Sequence, residues 1–363
     1  MNEKGRNPLE TCVLGGVEIP SPEDLAAMHQ GAYLLRARGG KLTKVSAEKS
    51  ILPHDPKGHV QAVSTVLAPD GTVYVNQPTL MCKSTDGGCT WTAHAHQKNM
   101  GGSFEVLRDG TFISVTGVGE RTDPLLVCAS KDEGRTWRDF SRIEVPQQYR
   151  ARYLYTLFRL PDDTLLCGIA VRNLTASADW STWISGKMSL LVYRSVDNGA
   201  HWQDPVTLAD WGHEGGIART ASGKLVAVIR YQRPMLPDDP PDVLEQTGAR
   251  AFGSAFPYKH LFLADSEDDG RTWKRVRQLT SVFGQCYGFP AALGDGTVVV
   301  VHEDRYPRGL PGRAMISRDE GITWEDEVYY MYYDTALSGY SESVVLEGDR
   351  ILTIAGTTDA MPA

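Results

Sequence analysis

Little in this sequence would tie the chain to a membrane, a nucleic acid or a disulfide scaffold. Six cysteines (Cys12, Cys82, Cys89, Cys128, Cys167, Cys286) in 363 residues are too sparse for a disulfide framework, and no CxxC or Cys/His cluster suggests zinc. Free thiols are expected, although Cys82 and Cys89 straddle one turn and could pair across a hairpin. No apolar run approaches the roughly 20 residues that a spanning helix needs. Met1 to Glu10 lacks the basic segment and apolar stretch of a signal peptide, so the sequence as written reads as cytoplasmic, or as secreted or periplasmic if a leader was removed. Acidic residues outnumber basic ones 45 to 37, giving a net charge of −8, and no Lys/Arg block stands out, so neither nucleic acid nor an anionic membrane is an expected partner. No cofactor or metal is implied. What remains, 41% hydrophobic and 23% charged, is an ordinary globular chain long enough for one or two domains.

An internal repeat then governs the reading. The pattern Ser-x-Asp-x-Gly-x-Thr-Trp occurs at Ser84–Trp91, Ser130–Trp137, Ser195–Trp202, Ser266–Trp273 and Ser317–Trp324, with His201 in place of Thr in the third copy. Its chemistry is that of a hairpin turn: the Asp accepts backbone N–H groups, Gly supplies a positive φ, and Trp packs against the blade that the turn closes. Before each copy stand two β-rich runs around a short turn, such as Pro69-Asp70-Gly71, Asp109-Gly110, Pro161-Asp162-Asp163, Ser222-Gly223 and Asp295-Gly296. A sixth such unit, Ser343 to Ile354, lacks the Trp turn. These units predict an all-β chain: a six-bladed β-propeller of four-stranded antiparallel blades, forming a single domain over residues 1–363. Residues such as Ala32 to Val45 are expected to complete the last blade. Ser21-Pro22-Glu23-Asp24 predicts a short helix near residues 22–30, with Ser as cap and Pro in the first turn.

The Trp turns resemble the Asp-box, or bacterial neuraminidase repeat, and the chain resembles the sialidase superfamily of six-bladed propellers over about residues 45 to 358. Propellers carrying such turns include hydrolases, lyases and binding proteins, so the activity has to be sought in the site. In sialidases one blade carries a Glu followed sixteen positions later by an Arg, and Glu214 and Arg230 stand at that spacing around Ser222-Gly223. By this resemblance Glu214 would activate a nucleophile and Arg230 would bind a substrate carboxylate. Tyr340, in Gly339-Tyr340-Ser341 at the head of the sixth unit, resembles the family's nucleophile.

Counting back from each short turn supports that placement. Glu214, Tyr287 and Tyr340 each lie nine residues before theirs, with Tyr153 and Gln61 ten before, so all five should begin inner strands and ring one mouth of the channel. The alternative reading is that these tyrosines only plug the channel. Second strands return to the same face and end in Arg172, Arg230 and Arg305, whose guanidiniums suit a planar carboxylate; the alternative is that each pairs with a nearby acid such as Asp304. The family's first-blade arginine is absent, with Gln61 in its place and Val63 at the following proline, and Asn76 to Lys83 carries no general-acid Asp. His54, Asp55 and His59 enter the first blade nearby, and His59 is the candidate acid/base, with a surface or core histidine as the other reading; His213 is similar. Excursions at Asn173–Met188, with Trp180 and Trp183, and at Pro234–Lys259 are expected to shape the pocket. The reading that results is a glycoside hydrolase acting on an acidic sugar or glycan, not necessarily sialic acid. Its alternatives are a polysaccharide lyase for uronate glycans and a non-catalytic carbohydrate-binding propeller.

Overall fold

The computed structural model describes residues 7, 9–12, 20–54, 64–96, 103–116, 124–174, 187–251, 253–306, 310–334 and 341–356. An N-terminal helix, α1 (Pro22–Gln30), starts at Ser21, whose hydroxyl accepts from Asp24 N at 3.0 Å. A hairpin follows, β1 (Tyr33–Arg38) and β2 (Lys41–Ser46). Blade one runs from the axis outward as β3 (Ser64–Leu67), β4 (Val73–Asn76), β5 (Leu80–Ser84) and β6 (Thr92–Ala95). Blade two is β7 (Phe104–Val106), β8 (Phe112–Thr116), β9 (Leu125–Ser130) and β10 (Arg138–Ile143). Blade three is β11 (Tyr149–Arg159), β12 (Leu165–Asn173), β13 (Met188–Ser195) and β14 (Val206–Ala209). Blade four is β15 (Gly215–Arg219), β16 (Leu225–Arg233), β17 (Tyr258–Ser266) and β18 (Lys274–Gln278), with a one-turn helix, α2 (Val243–Gln246), between β16 and β17. Blade five is β19 (Gln285–Ala292), β20 (Val298–Asp304), β21 (Leu310–Ser317) and β22 (Glu327–Asp334). The last described strands, β23 (Ser341–Leu346) and β24 (Arg350–Ala355), form a two-stranded sheet.

The expected six complete blades are therefore corrected to five, and the N-terminal strands do not finish the last one. β1 instead pairs with the outer strand of blade five, Leu35 opposite Tyr330 and Arg38 opposite Glu327, extending that sheet to six strands. The cause is local chemistry on β22: Leu25 and Met28 of α1 bury against Leu35 and Tyr330, and Arg36 donates to Glu327 at 2.7 Å. The C-terminal hairpin occupies the sixth place, its β23 packed between β19 and β3. A lone two-stranded hairpin is marginal in water. Here it is held from both sides, by Val73, Val75 and Cys82 of blade one around Leu346 and Ile354, and by Val299 and Val301 of blade five around Ile351.

All five Trp turns share one hydrogen-bond pattern. In the second, Ser130 Oγ donates to Asp132 at 2.7 Å and accepts from Gly134 N at 2.9 Å, while Asp132 accepts from Thr136 N and Thr136 Oγ1. His201 substitutes for Thr without loss, its Nδ1 lying 2.6 Å from Asp197. Two successive residues take positive φ in each turn, for example Glu133 (58°) and Gly134 (79°), which is the geometry of a tight hairpin. The tryptophans pack in the seams between blades, touching more than the one blade that the repeat alone suggests. Trp137 joins a cluster of Tyr74 and Met81 of blade one with Phe104 and Phe112 of blade two, and Trp324 one of Val226 and Val228 of blade four with Val298 and Val300 of blade five. None of the six cysteines is in a disulfide, and among the described residues no helix is long and apolar enough to cross a membrane.

Candidate active site at the head of the inner strands

Glu214 directly precedes β15, and the β15–β16 register places Gly215 opposite Ile229, so Glu214 and Arg230 are the next cross-strand pair. Arg230 N donates to Glu214 O at 2.7 Å and His213 N to Arg230 O at 3.0 Å, continuing the ladder past the strand end. The sixteen-residue spacing is thus a hairpin spacing. Gly215 is required there, because a Cβ would lie 1.7 Å from Val228 O.

Across this hairpin Arg230 Nη1 donates to Glu214 Oε2, while Nη2 donates to Gln232 Oε1 at 2.8 Å. The Arg230 and Glu214 side chains are 5% and 14% exposed, so the ion pair is largely removed from water. Burial works to raise the Glu214 carboxyl, but the Arg230 guanidinium and the neighbouring His213 outweigh it and hold the group well below the usual carboxylate range. Lys259 of β17 also donates to Gln232 Oε1, at 3.2 Å. With two cationic donors on its oxygen, the Gln232 amide must present its NH2 to His213 Nε2, 3.4 Å away. His213 then carries its proton on Nδ1 and donates to Tyr153 Oη at 2.7 Å. Burial brings His213 down to about 4, so the ring is neutral near pH 7.

Both described channel tyrosines stand at irregularities of an inner strand. β11 shifts register between Ala151 and Tyr153, and β19 between Cys286 and Gly288, where Tyr287 is the bulged residue with φ of 52°. Bulges re-aim side chains, and a non-glycine residue held at positive φ marks a position that its surroundings over-determine.

The expected site residues are thus partly brought together. Tyr153 from blade three joins Glu214 and Arg230 from blade four through His213 and Gln232. Arg305, following β20, lies close enough that its charge and that of Arg230 both act on Lys259 and Cys286. Its acid partner is Glu303, to which Nε donates at 2.6 Å, while Asp304 lies 3.6 Å from Arg313. Arg172 sits buried on β12, opposite Arg150 in register. Tyr340, His59 and Gln61 lie outside the described residues, as do Asp55, Trp180 and Trp183. His54 is exposed, with Nδ1 3.1 Å from Leu52 O. Lys259 and Gln232 were missed. Lys259, 4% exposed, is brought down to about 7 by burial and then by the charge of Arg230. The available signal was a lysine just ahead of the apolar run Leu261–Ala264 in a strand.

The axis also holds a cavity of about 250 Å³, lined by one segment of each inner strand, including Thr65, Glu105, Thr156, Ile217, Phe289 and Glu342. These positions lie further along the inner strands than Glu214, so the cavity is the body of the channel below the charged mouth. Burial pushes Glu105 up to about 7 and Glu342 up to about 8.

No family model matches the chain, and no curated protein does. Among solved structures the fold is similar to that of an α-L-arabinofuranosidase from Fusarium graminearum (16% identity, 85% of this chain and 90% of that one, TM-score 0.57). It is similar also to a protein of unknown function from Dyadobacter fermentans (17%, 85% and 94%, 0.56) and to the NanB sialidase of Streptococcus pneumoniae (11%, 94% and 70%, 0.56). At these identities the likeness establishes the propeller fold alone.

Proposed function

We propose that this propeller is a glycoside hydrolase for a carboxylate-bearing sugar, worked from the mouth where Glu214 and Arg230 meet. The observation that carries the proposal is that ion pair: a carboxylate and a guanidinium, largely withdrawn from water, at the head of an inner strand with Arg305 beside them. Similar folds in a sialidase and an arabinofuranosidase support a sugar ligand, and the resemblance of the Trp turns to Asp-boxes supports a sialidase-like ancestry.

In this reading Arg230, with Arg305 and Arg172, holds the substrate carboxylate, and Tyr287 and Gln61 line the approach. A free phenol, with pKa near 10, needs a base to attack. Glu214 takes the Tyr340 proton as the phenol oxygen bonds to the anomeric carbon and the glycosidic C–O bond breaks; the departing oxygen takes a proton from His59. Water then cleaves the glycosyl-tyrosine. A neutral nucleophile suits an anionic substrate, and Tyr nucleophiles are the known exception to the paired-carboxylate scheme. Arg230 couples binding to chemistry: as the substrate carboxylate competes for its guanidinium, Glu214 loses the charge that holds it ionised and becomes a stronger base.

One observation favours a second reading, β-elimination on a uronate glycan: Tyr153 and His213 are hydrogen-bonded beside Arg230. There Tyr153, as a phenolate held by the His213 Nδ1–H, would take the C5 proton, the electron pair would form the C4–C5 double bond, and the C4–O bond would break as the same proton passes from Tyr153 to the leaving oxygen. Incubating wild type and Tyr340→Phe with sialosides, uronosides and acidic polysaccharides separates the two readings. A new reducing end lost in Tyr340→Phe supports hydrolysis; an unsaturated product absorbing in the ultraviolet that persists in Tyr340→Phe and disappears in Tyr153→Phe supports elimination. Binding without turnover on any substrate would leave a carbohydrate-binding propeller and defeat both.

A further inference from the structure

The N-terminal segment is strapped to blade four through the strand residues Tyr231, Arg233 and His260, which alternate along β16 and β17 with Gln232 and Lys259 of the site above. Thr11 N and Oγ1 donate to Gln278 Oε1 at 2.6 and 3.0 Å, and Gln278 Nε2 returns a bond to Thr11 O at 2.7 Å. Glu10 reaches inward to accept from Arg233 Nε at 2.9 Å and from Tyr231 Oη at 3.1 Å, and its side chain is only 4% exposed. Arg233 is shared, because its Nη1 and Nη2 donate to Asp239 at 2.6 and 3.2 Å. One buried guanidinium thus faces two buried carboxylates, leaving one negative charge in excess.

Beside that charge stand two more potential ligands. Cys12 Sγ lies 3.4 Å from Glu10 Oε1 and 3.4 Å from His260 Nε2, and the three ligand atoms all fall within 4.8 Å of one another. Tetrahedral zinc, with Zn–S near 2.3 Å and Zn–N near 2.0–2.1 Å, separates neighbouring ligand atoms by about 3.5 Å. His260 Nδ1 is buried without a hydrogen-bond partner among the described residues, and Nε2 is the ring nitrogen that faces Cys12, 3.4 Å away.

We propose that Glu10, Cys12 and His260 form a zinc site that latches the N-terminal segment onto blade four. Binding converts the Cys12 thiol to a zinc-bound thiolate and releases its proton to solvent, with water as the fourth ligand. Charge then balances: Zn²⁺, the Cys12 thiolate and the Glu10 carboxylate sum to zero, as do Arg233 and Asp239. The sequence could not display this site, because Cys12 and His260 are 248 residues apart. The inference is independent of the sugar chemistry above.

The test uses the full chain, stripped by a chelator, dialysed, and titrated with Co²⁺ and Zn²⁺. Wild type is expected to bind one Co²⁺ with a thiolate-to-cobalt charge-transfer band, to lose the band when Zn²⁺ is added, and to gain thermal stability with Zn²⁺. Cys12→Ser is expected to lose the band and weaken zinc binding more than about a hundredfold. Because Cys12 is exposed, this variant should still unfold in chelator at the wild-type midpoint. Cys89→Ser, at the other exposed cysteine, should keep the band. Failure of wild type to take up a stoichiometric metal, or a cobalt band that survives in Cys12→Ser, overturns the proposal.

Discussion

Glu214 and Arg230 face each other as a cross-strand ion pair at the head of blade four, joined through both backbone and side chains. Removing one partner strands a largely buried charge, which costs about 3–5 kcal/mol when such a pair is broken. Glu214→Ala should therefore lower the melting temperature markedly. Glu214→Gln, which keeps an acceptor for Arg230, should lose less stability while cutting turnover about 10²- to 10⁴-fold. Calorimetry and kcat on the same two variants check this; equal stability losses with turnover intact would refute the role given to the carboxylate.

Glu342 makes a prediction of opposite electrostatic sign. Its carboxyl accepts from Thr65 N at 2.6 Å within the channel, where burial raises it from 4.5 to about 8. The other charged groups lining that cavity are Glu105, Arg159 and Arg219. Between those two values the unfolded chain has lost the proton and the folded chain keeps it, so stability falls as pH rises, by at most roughly 1.4 kcal/mol per pH unit from this group. Because buried His213 and Lys259 shift downward and act in the opposite sense, the test is a difference: urea unfolding from pH 5 to 8 should show Glu342→Gln gaining on wild type as pH rises and exceeding it at pH 8.

The Trp turns are scaffold, and Ser130→Ala tests that. Ser130 Oγ is the acceptor for the buried Gly134 N–H at 2.9 Å, and losing it leaves an unsatisfied donor worth about 1–3 kcal/mol. Denaturant unfolding should register the loss, and kcat/KM should not move.

Local features were legible in the sequence and non-local ones were not. The turn from Ser84 to Trp91 encodes its own hydrogen bonds within eight residues, and the facing of Glu214 and Arg230 follows from one hairpin. The capped start of α1 at Ser21 is equally local. By contrast, the pairing of Leu35 with Tyr330 depends on which sheet edge offers apolar cover, and that cover, from Leu25 and Met28, forms at blade five rather than at the expected last blade. The full set of partners of each Trp is non-local for a like reason: the repeat fixes where Trp137 sits, but the cluster it joins also takes Tyr74 and Met81 from the blade before. Lys259 and His213 acquire their meaning only from Gln232 between them.

Tyr153→Phe removes the phenol that His213 engages at 2.7 Å while keeping the ring. If hydrolysis is the reaction, this variant should retain turnover within about tenfold, because its phenol is neither nucleophile nor proton donor. If elimination is the reaction, turnover should fall about 10²- to 10⁴-fold. Product analysis at a single substrate concentration distinguishes the outcomes.

The central claim is that Arg230, held by Glu214, reads a sugar carboxylate. The most direct measurement is kcat/KM for an acidic substrate and for its methyl ester, in wild type and in Arg230→Lys. A charge-assisted contact of about 1.5–3 kcal/mol predicts that wild type prefers the acid roughly 10- to 150-fold and that the variant loses most of that preference. Equal rates on acid and ester in wild type would contradict the account.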